Sequence, residues 1–443
     1  GYSVLIYQYA KHRPKGYRAK LPLLFLPMLA FLSISAAPFA NGDISQATRE
    51  LMLLNPNYRN LEIGLLFAVT AYLAHILSLA KKRFSWRKEW PFQLGVALVL
   101  GYLFYSDPLF IYVLGGGVVI TSFYLWVRNF QNLRPLLSII LPVLGALLIA
   151  TFVGYVMPKI GFTSYDNISK NFTSFSRIDT NILNTIEGVL LNYRADIWSM
   201  PFGKSVLKPL FNTGLAILFF TSITAVLYYW RTSRTKTSDY ALLLLAAMTL
   251  MNLAAYGLST QGDALIFHRY VYVATVTAIP LAGAFLVYLY EKSSFRRIFY
   301  TTVIVLIAGF IANTALTMQV ALKNPSEKPN AFTYDLINFA EKRGLSKGYG
   351  NYWDSIPATY FTKSNLNVLP IYCNDIKPQK RIFLINTTDY NKTSDSSFLI
   401  YQHGNPDFSC LKQDPYGDAV DTHQLPGGYT IYEYDYDILR RME

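Results

Sequence analysis

The stretch Ser106-Asp107-Pro108-Leu109-Phe110 sets a carboxylate between two apolar runs, 92–105 and 109–127. An ionised group at membrane depth is costly, and residues kept there despite the cost commonly serve function. Asp107 suits two chemistries: a general base taking a proton from an acceptor hydroxyl, or an oxygen ligand to a divalent cation such as Mg or Mn. The structural alternative is a turn, because Asp-Pro ends one helix and starts another. Glu62, just inside the run 61–80 and following Asn57-Tyr58-Arg59-Asn60, is the next carboxylate of this kind. Pairing with Arg59 and contact of either residue with substrate are both open.

A second set of residues is suited to phosphate. His268-Arg269-Tyr270 follows Asp263 at the start of a late apolar run, and Arg194 lies in the long segment 158–210. A guanidinium presents paired donors that match phosphate oxygens, so Arg269 and Arg194 are candidate phosphate clamps with His268 beside them. Arg269 at a helix start also fits simple snorkelling towards headgroups.

The elements that must position these groups are membrane helices. Of 443 residues, 52% are hydrophobic and only 15% charged, far from the roughly 25% charged content of soluble domains. The net charge of +13 resides in short clusters between apolar runs, as topology determinants do, which argues against nucleic acid as a partner. Windows able to cross about 30 Å of hydrocarbon fall at 21–39, 61–80, 92–105, 109–127, 135–157, 211–230, 239–258, 270–290 and 298–320. Two crossings joined at Asp107-Pro108, rather than one kinked helix, bring the basic segments 11–20, 81–88, 128–134, 231–236 and 292–297 to one side, cytoplasmic by the positive-inside rule. The other side then carries 41–60, the Asp107 turn, 158–210, 259–269 and everything from 323 onward.

The expected fold is an all-α polytopic bundle of about nine transmembrane helices over 1–322, followed by an extracytoplasmic α/β domain over 323–443. In that tail, helix and strand periods alternate without a spanning run. Helices are predicted over 332–343 and 354–362, and strands over 348–352, 367–373, 381–386, 397–402 and 429–434. Both cysteines, Cys373 and Cys410, lie there, and an extracytoplasmic pair without a His or Cys cluster reads as a disulfide. In 158–210, Ile178, Ile182, Ile186, Val189, Tyr193 and Ile197 recur at helical spacing, which predicts an amphipathic helix along the interface. It would either cover the bundle or form one wall of a lipid-substrate groove.

Three motifs carry a resemblance. Ser106-Asp107-Pro108-Leu109-Phe110, His268-Arg269-Tyr270, and Gly348-Tyr349-Gly350-Asn351-Tyr352-Trp353-Asp354 followed by Asn367-Val368-Leu369-Pro370-Ile371 are similar to the glycosyltransferase C superfamily. The group resembled is that of dolichyl-phosphate-mannose protein mannosyltransferases and aminoarabinose transferases. The resemblance implies a multispanning enzyme that moves a sugar from a polyprenyl-phosphate donor to an extracytoplasmic glycan, lipid or protein acceptor. The expected mechanism is inverting transfer, a carboxylate activating the acceptor hydroxyl as polyprenyl phosphate leaves. In such an enzyme Asp107 is read from its chemistry as base or metal ligand and Arg269 as the clamp on the donor phosphate, with Tyr352 and Trp353 of the tail capping the site or binding acceptor. The superfamily places an acidic residue or pair in its first extracytoplasmic loop. Asp43 is the nearest counterpart here, without an adjacent partner, and the chain is expected to be a member lacking an N-terminal portion. A polysaccharide polymerase or ligase, a transporter and a non-catalytic membrane scaffold are the alternatives.

Overall fold

The computed structural model describes residues 2–11, 20–36, 60–79, 86–127, 133–160, 172–193, 195, 207–232, 240–263, 270–323, 331–374, 377–380, 390–403 and 410–442. The chain divides into two compact units, Gly1–Val153 with Ser169–Asn324, and Gly154–Ile168 with Pro325–Glu443.

The first unit is helical: α1 Tyr2–Lys11, α2 Leu21–Ala36, α3 Asn60–Leu79, α4 Trp86–Ser106, α5 Gly116–Val127, α6 Leu133–Val156, α7 Ile178–Asn192, α8 Leu207–Thr232, α9 Tyr240–Gly257, α10 Tyr272–Glu291 and α11 Arg296–Lys323. Among the described residues five segments are long and apolar enough to cross a membrane: Glu62–Leu79, Leu136–Val156, Tyr240–Gly257, Tyr272–Glu291 and Ser293–Ala315. Leu21–Ser33, Ile111–Val127 and Asn212–Tyr228 are shorter apolar helices. Among the described residues the structure therefore gives an integral membrane bundle with five span-length helices, where the sequence led to an expectation of about nine. Helix α4 falls in neither group.

Close helix contacts fix the path around Asp107. A Cβ on Gly145 would lie 3.4 Å from that of Ala97, and one on Gly101 would strike Ile149, so α4 and α6 run in the same direction. A Cβ on Gly115 would rest on Val143, and the six residue steps from Val127 to Leu133 reach about 20 Å at most, too short for α5 to lie alongside α6 in the same direction, so α5 runs against α6. Hence α4 and α5 are separate, oppositely directed helices that meet at Asp107-Pro108. Gly116 and Gly117 abut Met251 and Met248 in turn, which sets α5 antiparallel to α9. Helices α9 and α10 form a hairpin, held where Thr249 and Thr277 hydroxyls meet at 2.9 Å and Asn252 bonds the Tyr270 carbonyl and the Ala274 N–H. These polar groups are fully buried, and pairing across the helices satisfies them in an apolar setting. The Asp107 break, the end of α9 and the start of α10 thus share one end of the bundle.

The second unit contains α12 Ala331–Arg343, α13 Tyr352–Phe361 and strands β1 Lys347–Gly350, β2 Asn367–Asn374, β3 Lys377–Lys380, β4 Ser397–Gln402, β5 Asp421–Leu425 and β6 Tyr429–Tyr434. They form one mixed sheet in the order β3-β2-β1-β4-β6-β5, with β1 parallel to β2 and β4 and the remaining pairs antiparallel. One face packs Leu336, Ala340 and Ala358 of the helices against Val368, Phe398 and Ile431. The other buries Tyr349, Leu369, Leu399, Tyr432 and Tyr434 beneath Leu411 and Ile438. Gly348 belongs in β1 because the Phe398 ring occupies the place a side chain would take. Cys373 and Cys410 form a disulfide across a sequence separation of 37. Strands β3 and β5 are additions to the sequence reading, and the strand expected at 381–386 lies outside the described residues.

Candidate functional site

At the shared end of the bundle, Glu62 stands in the first turn of α3 and Ser106 closes α4. The Ser106 hydroxyl donates to Glu62 Oε1 at 2.6 Å, which brings the Glu62 carboxylate beside the Asp107 break. Asp107 begins the next helical stretch: its Oδ1 accepts the Leu109 N–H at 2.9 Å, with Pro108 at the first helical position between them. This is the geometry of an Asp N-cap followed by Pro, each suited to its place by side-chain acceptance and fixed φ. The sequence left Asp107 between turn residue and chemical group. It is a turn residue, and it directly follows Ser106, whose hydroxyl holds the Glu62 carboxylate.

Behind the turn, Ile111–Gly115 is a π-helical segment with Val113, Leu114 and Gly115 buried, leading into α5. Such single π turns often mark functional positions because they re-aim the side chains before them. Here the segment packs on α9, and Phe110 is fully buried at its start, which anchors the turn.

A second polar centre lies past the end of α9. Asp263 Oδ1 accepts from the Thr173 hydroxyl at 2.7 Å and from Asn181 Nδ2 at 3.0 Å, while Oδ2 faces Arg177 at 3.2 Å. Asn184 adds a bond to the Gly262 carbonyl at 2.8 Å. The Thr173 and Asn181 hydrogen bonds, with the Arg177 charge, hold the Asp263 carboxyl below its ordinary range against partial desolvation. This hub fastens α7 to the α9–α10 connection. Its partners are scattered over the sequence, and nothing in their spacing announces it.

The phosphate-binding residues of the sequence reading, Arg194, His268 and Arg269, lie outside the described residues, as do Asp43 and Arg59. Tyr352 and Trp353 open α13, and their side chains also lie outside the described residues. Around Asp107 the described groups do not assemble a set of three metal-ligating side chains. The set of that kind among the described residues is Asp421, His423 and Glu433 in the sheet unit. Arg343 reaches Asp421 at 3.3 Å and Glu433 at 3.6 Å, with His423 Nε2 at 3.2 and 3.3 Å from the same two carboxylates. A guanidinium already balances these acids, so the cluster reads as ion pairing that ties α12 to β5 and β6.

Between α7, α8 and α9 lies an apolar cleft of about 360 Å³, lined by residues including Ile182, Ile186, Val189, Phe220, Leu253 and Ala254. Comparison of the chain with protein-family models, with curated proteins and with solved structures gives no match.

Proposed function

We propose that this protein is a membrane glycosyltransferase, moving a sugar from a polyprenyl-phosphate donor to an acceptor hydroxyl with inversion. The observation that carries the proposal is the meeting of Glu62, Ser106 and Asp107 at one end of a membrane bundle. In the proposed reaction Asp107 accepts the proton of the acceptor hydroxyl as that oxygen attacks the anomeric carbon. The bond from that carbon to the phosphate oxygen breaks, and polyprenyl phosphate leaves with the electron pair. Approach opposite the leaving group inverts the anomeric centre. Proton release from Asp107 to solvent then restores the base. Glu62, linked through Ser106, orients the turn and fixes the acidic environment of the acceptor.

A developing phosphate dianion needs compensating charge, and Arg269, with His268 and Arg194, is assigned that part from the sequence. Glu62 and Asp107 offer carboxylate oxygens that suit a hard divalent cation, whose contribution would be neutralisation of the leaving phosphate. The steps above use the chain's own groups. The apolar cleft beside α7 suits the hydrocarbon chain of a lipid-linked donor. Tyr352 and Trp353, at the start of α13, are proposed to contact acceptor.

The test is reconstitution of the full chain in proteoliposomes with a labelled polyprenyl-phosphate sugar and candidate glycan, lipid and protein acceptors. Equimolar release of polyprenyl phosphate and a glycoside of inverted configuration is expected. Absence of donor turnover across the acceptor classes would remove the proposal.

A further inference from the structure

Helix α7 is amphipathic in the inverse sense. Asn181, Thr185, Gly188, Val189 and Asn192 face the bundle and are buried, while Ile182, Leu183 and Ile186 point outward at 50%, 66% and 42% exposure. Just ahead of it, Phe172 and Phe175 are 85% and 94% exposed. Soluble proteins arrange such helices the other way round, polar face outward, because water rewards it. The apolar line predicted from the sequence is therefore divided, with Val189 and Tyr193 turned inward and Ile182 and Ile186 outward.

The depth of this outward face is fixed by its bonds. Phe172 pairs with Ser259, and the Thr173 N–H donates to the Leu258 carbonyl at 3.0 Å, immediately beyond the end of the span-length helix α9. Further along, Thr185 packs on Gly257, and Ile186 and Val189 line the cleft with Leu253 and Ala254, one turn inside α9. At the far end, Asn192 and Tyr193 meet Thr275, within the first turn of α10. The helix thus descends from the end of one candidate span to a level inside two of them. Its charged neighbours, Arg177 and Asp179, stand at the shallow end, and Glu187 lies near Tyr256 of α9.

We infer that the Ile182–Leu183–Ile186 face of α7 is embedded in the hydrocarbon of the bilayer leaflet at the α9 C-terminal end, with Phe172 and Phe175 at its headgroup boundary. The occupant is lipid because Ile182 and Ile186 line one apolar cleft with Phe220, Leu253 and Ala254, so the face continues the apolar outer surface of α8 and of the span-length helix α9. The polar side of α7 is sealed by its bonds to Ser259, Gly262, Asp263 and Thr275. Lipid contact at α7 does not depend on the glycosyl-transfer reading.

The native cysteines are paired in a disulfide and none of the described residues is a free cysteine, so a single introduced thiol can be labelled cleanly. Leu183→Cys, Phe175→Cys and Asp179→Cys, each in the full chain in phosphatidylcholine–phosphatidylglycerol proteoliposomes, carry a nitroxide for collision measurements with oxygen and a neutral nickel chelate. The label at 183 is expected to favour oxygen and to report a depth of about 5–10 Å below the phosphates, the label at 175 to report a shallower level than 183, and 179 to favour the chelate. Chelate access at 183 equal to that at 179 would overturn the inference in favour of water. Low access to both reagents with spin–spin broadening would overturn it in favour of a second copy. Because Leu183 and Phe175 are the exposed positions, their replacement leaves the packed face intact.

Discussion

Ser106 Oγ lies 2.6 Å from Glu62 Oε1, so the last residue of α4 is bonded to the first turn of α3 one residue before Asp107. The bond joins α3 to α4 at this end of the bundle.

Removing that bond has a measurable stability consequence. A hydrogen bond to a charged acceptor contributes about 1.5–3 kcal/mol, so Ser106→Ala should lower the stability of the reconstituted chain by roughly that amount. A double-mutant cycle with Glu62→Gln should return a coupling energy well above zero. Strict additivity would mean that the two residues do not act on one another.

In the sheet unit, Lys347 Nζ bonds Asp437 Oδ2 at 2.9 Å and Tyr349 donates to Oδ1 at 2.6 Å, all three being buried. Burial alone would raise the Asp437 pKa. Hydrogen bonds from Lys347, Tyr349 and the Leu439 N–H, with the Lys347 charge, outweigh it and leave the carboxyl below its ordinary value of 3.8. The stability contributed by this group is therefore present above pH 3.8 and lost as pH falls through the lower folded value. Lys347→Met strands the carboxylate and should destabilise the unit by about 3–5 kcal/mol. Hydrogen exchange of the β1 and β4 amides in the full chain reads both effects, and the acid dependence should vanish in Asp437→Asn.

The Cys373–Cys410 disulfide closes a loop across a separation of 37 residues. On the chain-entropy account its loss costs the folded sheet unit about 4 kcal/mol. Reduction should accordingly raise exchange across β2 while leaving α9 and α10 protected. Unchanged β2 exchange would show that the loop is held by other contacts.

Topology gives an independent prediction. Thr260 follows α9 and Ser293 follows α10, so one span-length helix separates their levels. In sealed vesicles an impermeant thiol reagent should label Thr260→Cys and Ser293→Cys from opposite faces. Labelling of both from one face would mean that α10 does not cross.

Much of the architecture was legible because its signals are local. Runs of apolar residues marked α2, α3, α5, α6 and α8 to α11, and alternating patterns with turn residues marked β1, β2, β4 and β6. The Asp107-Pro108 break was readable as a chain reversal because two crossings joined there bring the basic segments to one side. What sequence could not show was pairing at a distance: Ser106 with Glu62, Asp263 with Thr173, Asn181 and Arg177, or Lys347 with Asp437. The orientation of α7 was hidden for a different reason. Periodicity identifies two faces but not which solvent each meets, and a lipid environment reverses the usual answer. Strand β5, Asp-Thr-His-Gln-Leu, escaped because an exposed edge strand lacks the apolar signature of a buried one.

The glycosyl-transfer account rests on the charge of Asp107, and one substitution separates that charge from its structural duty. Asparagine caps helices about as well as aspartate, so Asp107→Asn should retain the Leu109 bond and the fold while removing the proton acceptor. The account predicts that transfer from a polyprenyl-phosphate sugar by the reconstituted variant falls by about tenfold or more, within the usual contribution of a general base, at unchanged thermal stability. Undiminished turnover in a stably folded Asp107→Asn protein would contradict it and leave Asp107 as a helix cap alone.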